Sequence, residues 1–407
     1  MRSIGILGAG YVGLATAASF AARGFVVVCA DPNAEKIAAL QRGELPFFEE
    51  GMLEVFRAAS TPVQFTTDLT QACACDAVFC CVGTPSATDG SADLSFVHSA
   101  AKTCADCAPG TLFVIKSTVP PGTSRRVAAV VERQLRVVTN PEFLREGNAV
   151  HDGIYPSRIV LGADDAESME ALKSVYAGVD APIVSTDSVT AEMVKYASNS
   201  FLATKISFIN EIATLCDAVG ADARSVAHGM GLDDRIGAKF LQPGPGYGGS
   251  CFPKDVRALM FLGESVGAPL RILAATTAVN VERQLLPYRR LVEALGSLQG
   301  KRVAVWGLAF KPGTDDVRDA PALEVLKRCL ADGAEVVAYD PLVKRLDQQY
   351  AAVVMGESAL QALAGADALV VMTDWPEFFG IDRAAILRAM RGECIIDLRH
   401  ALERSRP

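Results

Sequence analysis

Ile4-Gly-Ile-Leu-Gly8-Ala-Gly10-Tyr-Val-Gly13 opens a run that continues through an alanine-rich stretch to Arg23-Gly24, an apolar segment Phe25 to Cys29, and Asp31. A short apolar strand, a glycine turn, a helical pattern and a second strand are the context that a dinucleotide fingerprint requires. Gly8 permits the tight turn, Gly10 lets the backbone approach a pyrophosphate, and Gly13 allows close helix packing. The helix N-terminus offers N–H groups to the phosphates. Asp31, closing the second strand, suits a free ribose 2′-hydroxyl and repels a 2′-phosphate, so NAD is expected rather than NADP.

Working outward, strands are expected at Asp76 to Val82, Thr111 to Lys116, Val137 to Val138 and Ile159 to Leu161, with helices between them. The first domain is therefore a doubly wound α/β sheet over residues 1–185. Three loops follow its strands and are expected to carry ligands: Gly83-Thr84-Pro85, Ser117 to Thr123, and Asn140 to Glu146. Over 186–298 the alternation stops and helical spacing takes over, broken by the loop Gly246-Tyr-Gly-Gly-Ser-Cys251-Phe-Pro-Lys-Asp255. A connecting helical domain of this kind commonly also forms a dimer interface.

The segment 299–407 repeats the opening grammar. Lys301 to Gly307 reads as a strand into a glycine turn, a helix follows from about Pro321 to Leu330, and Glu335 to Ala338 lead to Asp340-Pro341. Gly8 to Asp31 spans 23 positions and Gly307 to Asp340 spans 33, the excess being the polar loop Phe310 to Arg318. This second Rossmann-like domain lacks the glycine fingerprint and is expected to bind a different nucleotide, through Lys311.

With 407 residues, half of them hydrophobic, the chain has ample core for two or three domains. No apolar run is long enough to span a bilayer, and the start reads as a strand rather than a secretion signal, so a soluble cytoplasmic protein is expected. The net charge of −8 and the scattered basic residues disfavour nucleic acid and membrane surfaces as partners. Eleven cysteines do not make a disulfide scaffold in a chain this long. Cys104-Ala-Asp-Cys107 has redox or zinc spacing but no second pair, and the four histidines have no metal-ligand spacing, so no metal is expected.

Lys195 and Asn199 fall on one helix face, and Cys251 stands apart from the other cysteines in a glycine-rich turn close to Lys254 and Asp255. Read singly, these have bland alternatives: a solvated lysine, a Lys254–Asp255 surface pair, Thr118 as a helix cap, Glu142 and Glu146 as a row on a short helix. Together with Gly8 to Gly13, Cys81-Val-Gly-Thr-Pro85, Ser117-Thr118, Asn140-Pro-Glu-Phe-Leu-Arg-Glu146, Asp234-Arg-Ile-Gly237 and Gly307-Leu-Ala-Phe-Lys311, they resemble the nucleotide-sugar dehydrogenases over essentially the whole chain. The resemblance is closest to the UDP-glucose 6-dehydrogenases.

That resemblance implies four-electron oxidation of a sugar C6 alcohol with two NAD turnovers and Cys251 as nucleophile, through a thiohemiacetal and a thioester. It further implies Lys195 and Asn199 as oxyanion-stabilising groups, and Asp255, Thr118, Glu146 and Glu142 around the catalytic water. Gly8, Gly10, Tyr11, Val12, Gly13, Asp31, Lys36, Gly83, Thr84, Pro85, Thr118 and Arg318 would contact NAD. Phe143, Leu144, Phe240, Tyr247, Gly248, Phe310, Lys311 and Arg399 would contact the nucleotide sugar, and Arg235 the substrate of a neighbouring subunit in a homodimer or larger oligomer.

GDP-mannose dehydrogenases typically have leucine after the catalytic cysteine, where Phe252 stands, and acetamido-sugar enzymes usually lack Pro253-Lys-Asp255; both departures favour UDP-glucose, with dTDP-glucose left open. A non-catalytic NAD-binding scaffold would have no use for Cys251, Lys195, Asn199 and Asp255 together, and a two-electron alcohol dehydrogenase none for Cys251.

Overall fold

Short runs of apolar and β-branched residues form two sheets in the computed structural model, which describes residues 1–404. The first sheet contains β1 (Ser3–Leu7), β2 (Val26–Ala30), β3 (Gln64–Thr66), β4 (Ala77–Cys80), β5 (Leu112–Ile115), β6 (Arg136–Thr139), β7 (Ile159–Gly162) and β8 (Ile183–Thr186). Its order is β3-β2-β1-β4-β5-β6-β7-β8, parallel throughout except where β6 meets β7. β4 and β5 are buried along their whole length, as central strands covered on both faces must be. The order reverses direction between β1 and β4, and ligands of open α/β sheets bind in the crevice at such a switch point.

The second sheet contains β9 (Arg302–Trp306), β10 (Glu335–Tyr339), β11 (Val354–Met355), β12 (Ala368–Val371) and β13 (Cys394–Asp397), in the order β11-β10-β9-β12-β13 and all parallel. Five strands are not anticipated from the sequence: β3, β8, β11 and β13 are edges, where short, partly exposed segments carry a weak signal, whereas β12, Ala368-Leu-Val-Val371, is a central, fully buried strand that the sequence reading missed.

The two sheets reuse one turn. Gly8 (φ 102°) donates its N–H to Ala30 O at 2.8 Å, and Gly307 (φ 87°) donates to Tyr339 O at 2.8 Å. Asp31 then accepts the N–H of Ala9 at 2.9 Å, and Asp340 accepts that of Leu308 at 2.7 Å. Each aspartate closes its second strand by anchoring the turn beside the first.

Between the sheets in sequence lie the helices Ser188–Val219, Ala223–Gly231, Phe252–Ser265 and Arg271–Leu295. The chain forms two compact units, Met1–Ser198 with Arg257–Val266, and Asn199–Val256 with Gly267 onward. Among the described residues no helix is long and apolar enough to cross a membrane. Cys104 is fully buried, whereas the Cys107 side chain lies outside the described residues.

Candidate active site

In the first unit, the helix Tyr11–Ala22 begins at Gly10 with no side-chain cap and no acidic residue in its first turn. Its leading N–H groups are therefore available to an anion. A Cβ at Gly13 would stand 1.8 Å from Gly8 O, so only glycine lets helix and turn pack, while a Cβ at Gly10 would meet open space. That clearance beside free amides fits a dinucleotide pyrophosphate. Asp31 is paired with Lys36 at 2.8 Å and accepts the Asn33 N–H at 3.0 Å. Burial works to raise its carboxyl, but Lys36 and the Asn33 and Ala9 amides hold it below the usual range.

The loops after β4 and β5 are tied together. Thr84 Oγ1 donates to Thr118 O at 2.9 Å, and Ser117 Oγ to Val82 O at 2.7 Å. Gly83, Thr84, Pro85 and Thr118 thus share one end of the sheet. Thr118 is not a helix cap, since the next helix, Thr123–Val130, is preceded by Gly122.

After β6 the segment Asn140 to Gly147 is irregular rather than the short helix that a Glu142/Glu146 row would need. Both glutamates are buried there. Lys195, far from solvated, is itself buried and places its Nζ 2.6 Å from Glu142 Oε1. Glu142 Oε2 accepts the Leu144 N–H at 2.7 Å. Burial pushes the Glu142 carboxyl up, but Lys195, the Leu144 amide and the Lys116 charge outweigh it and keep the carboxyl low. Desolvation pulls Lys116 down, and its Nζ donates to Asn140 Oδ1 at 2.9 Å. Phe143 lies under the Arg158 guanidinium, 3.7 Å from ring centroid to carbon.

In the second unit, Cys251 is half-buried and immediately precedes the helix Phe252–Ser265, its carbonyl accepting the Asp255 N–H at 2.9 Å. Ser250 Oγ is 3.5 Å from Cys251 Sγ. Asp255, only 1% exposed, receives Asn199 Nδ2 at 2.7 Å on one oxygen and Lys254 Nζ at 2.6 Å on the other. Lys195 and Asn199, expected to act as one pair, are thus engaged by two different carboxylates. The Lys254–Asp255 pair joins a part-buried lysine to a buried carboxylate and is not a surface pair.

The glycines of this loop have a packing reason that the sequence reading did not give. A Cβ on Gly248 would lie 2.1 Å from Asp319 O, and one on Gly249 (φ +86°) would lie 2.8 Å from the Phe310 ring. Gly249 N–H also donates to Arg318 O at 2.8 Å. The cysteine loop therefore lies directly on the Phe310 to Arg318 segment. Phe240, Tyr247 and Phe252 form an aromatic cluster, and Arg399 reaches the loop at Gly244. Lys311 Nζ stands 5.8 Å from the Phe310 ring centroid. The Arg318 guanidinium is held by Asp316 at 2.7 Å, and the largely exposed Arg235 by Asp233 at 2.6 Å.

Family models of the UDP-glucose/GDP-mannose dehydrogenases match this chain in three parts: the NAD binding domain at residues 2–180, the central domain at 189–282 and the UDP binding domain at 304–404. The chain belongs to the UDP-glucose/GDP-mannose dehydrogenase family. It is 44% identical to a UDP-glucose 6-dehydrogenase of Rhizobium meliloti, over 98% of this chain and 95% of the relative. A UDP-glucose dehydrogenase structure from Pyrobaculum islandicum aligns with TM-score 0.93 and 39% identity over 99% of this chain and 95% of the other. A UDP-D-ManNAc dehydrogenase from Pyrococcus horikoshii aligns with TM-score 0.88 and 29% identity over 99% and 96%. The part matching the family's NAD binding domain carries the glycine turn, Thr118, Glu142 and Glu146, and the central part carries Lys195, Asn199, Cys251 and Asp255. Arg318 falls in the part matching the family's UDP binding domain.

Four polar residues escaped the sequence reading: Glu49, Lys116, Glu192 and Asn280. Each is held by backbone groups or side chains distant in sequence, so no local pattern marks them.

Proposed function

We propose that this family member oxidises UDP-glucose at C6 to the carboxylate, using two NAD per sugar, and that Cys251 carries the sugar between the two oxidations. The observation that bears most weight is the setting of Cys251: half-buried, on a turn packed against the Phe310 to Arg318 segment, at the start of a helix whose amide dipoles favour an anion on sulfur. The long relatives at high coverage support UDP-glucose as the sugar nucleotide.

The uncapped helix start at Gly10, with Asp31 and Lys36 beside it, is the cradle for NAD, which when bound supplies the hydride acceptor. In the first oxidation the C6 alcohol loses a hydride and a proton, giving an aldehyde. The Cys251 thiolate adds to its carbonyl carbon, and the resulting thiohemiacetal oxygen takes a proton. Loss of a second hydride and that proton leaves a thioester. Water then attacks the acyl carbon, the C–S bond breaks, and carboxylate and thiol are released. Lys195 stabilises the developing oxyanions, with Glu142 fixing its position. Asp255, oriented by Asn199 and Lys254, positions the water and accepts its proton, assisted by Thr118 and Glu146.

The enzyme also assembles as a homodimer through the exposed face of the helix Ser188–Val219, where Phe201, Phe208 and Leu215 line up at intervals of seven. Counting NADH per sugar across UDP-, dTDP- and GDP-sugars tests the chemistry: two per UDP-glucose are expected, and one would overturn the thioester route. Cys251→Ala is expected to form no acid; unchanged acid formation would reassign the nucleophile.

A further inference from the structure

Glu49 is 4% exposed and stands in the stretch Pro46-Phe-Phe-Glu49-Glu-Gly51. Its Oε2 accepts the Tyr11 hydroxyl and the Gly147 N–H, the latter at 2.7 Å, and its Oε1 accepts the Ala149 N–H at 2.6 Å. The Gly147 N–H is also 2.7 Å from the Tyr11 oxygen, and the Tyr11 ring packs on Phe47 with centroids 4.8 Å apart. Burial, and then the bond to Glu49, push the Tyr11 phenol far up, so its hydroxyl stays a donor.

These contacts join two parts of the first unit that the sequence separates widely. Tyr11 is the first residue of the fingerprint helix, next to Gly10. Gly147 ends the irregular segment that carries Glu142 and Glu146, and Ala149 opens the next helix. On its outer side the same segment is held at Arg145, whose guanidinium pairs with Asp152 at 2.6 Å. Glu49 is therefore a buried clip between the glycine turn and the acidic loop.

We propose that Glu49 is a positioning residue that couples occupancy of the glycine turn to the order of the Glu142–Glu146 loop. It touches no reacting atom; it acts through Tyr11 and through the backbone of Gly147 and Ala149. Its effect on turnover rests on the function proposed above, whereas its effect on the loop does not.

The clip is tested on the full-length protein with Glu49→Gln and Tyr11→Phe. Gln keeps the size and one acceptor but cannot receive three donors, and Phe removes the hydroxyl alone. Two readouts separate the clip from the functional reading. The first is trypsin nicking after the exposed Arg145, followed by mass spectrometry with and without saturating NAD. NAD should slow nicking at least fivefold in wild type and less than twofold in either variant; equal protection in all three overturns the proposal. The second is steady-state kinetics. The variants should lose about tenfold or more in kcat, while KM for the sugar moves less than threefold, and the double variant should be no worse than the worse single one. A folded Glu49→Gln with wild-type kcat and protection sinks the idea. If wild type turns over no nucleotide sugar, the functional reading fails and the nicking result alone decides the clip. Should Glu49→Gln fail to fold, Tyr11→Phe carries both readouts.

Discussion

Glu142 and Glu192 are both buried in the first unit, yet their surroundings act in opposite directions. Glu142 faces the Lys195 ammonium and stays low, whereas Glu192 accepts the backbone amides of Gly122 at 2.6 Å and Ser124 at 2.8 Å, and desolvation pushes it up to about 7 against them. The linkage follows from these signs. Between about 4.5 and 7 the folded chain holds a proton on Glu192 that the unfolded chain has released, so this group's contribution to stability falls as pH rises through that window. Its size is on the order of 3 kcal/mol. Urea midpoints at pH 5 and pH 8 should differ less in Glu192→Gln than in wild type; an unchanged difference would remove Glu192 from the account. Glu142 behaves inversely, its stabilisation being present above the ordinary carboxylate range and lost as pH falls below it. Removing its partner by Lys195→Ala strands a buried charge, with an expected loss of about 3–5 kcal/mol. Lys195→Met with Glu142→Gln should recover most of that stability and still show no turnover, which would separate the pair's chemistry from its packing. A double variant that regained activity would show that Lys195 is not the oxyanion group.

The loop that ends in Cys251 is not rigid by its own composition; neighbouring helices hold it. Asn280, on the helix Arg271–Leu295, accepts the Tyr247 N–H at 2.8 Å and donates to Tyr247 O at 3.1 Å. Arg283 donates to Gly244 O at 2.7 Å, and Asn210, on the helix Ser188–Val219, accepts the Gly244 N–H at 2.8 Å. Burial lowers the Arg283 guanidinium to about 10. Asn280→Leu removes the acceptor of the Tyr247 N–H, while Tyr247 O keeps the Gln284 amide at 2.8 Å, a cost of about 1–3 kcal/mol. Because small displacements of a nucleophile are expensive, kcat should fall about 100-fold if Cys251 has the proposed role. The rate at which iodoacetamide alkylates Cys251 should shift with it, while NAD affinity, which belongs to the glycine turn, should not. A twofold or smaller change in kcat would mean that the loop holds itself. This arrangement marks the boundary of what sequence can tell. The motif Gly246 to Asp255 is legible because its residue types are unusual together, but its supports are ordinary helical asparagines and arginines whose partners lie more than thirty positions away.

Across the chain, what was legible follows from how local each constraint is. Gly8, Gly13 and Asp31 constrain one another within a single turn, so the fingerprint and the NAD preference could be read directly, and the same geometry recurs at Gly307 and Asp340. The partners of Lys195, Asn199 and Glu49 are decided by tertiary packing, so these pairings are not legible in the sequence. The proposed assembly rests on a pattern between these extremes. Phe201, Phe208 and Leu215 are 65%, 46% and 58% exposed. At heptad spacing they drift only about 20° per repeat and so form one apolar line roughly 21 Å long. A line of this kind suits a twofold axis, because the same helix face from a second copy is its own complement. Phe208→Asp should halve the mass measured by light scattering, and an unchanged mass would move the interface elsewhere. The proposed role of Arg235 makes the dimer functional as well as structural, since its largely exposed side chain would complete the partner's substrate site. Arg235→Ala and Cys251→Ala would each be inactive alone. Unfolded together and refolded as a mixture, half of the dimers would be hybrids with one site that has both its own cysteine and the other copy's arginine, and about a quarter of wild-type turnover should return. If Arg235 served its own subunit, every hybrid site would lack one of the two groups and no activity would reappear.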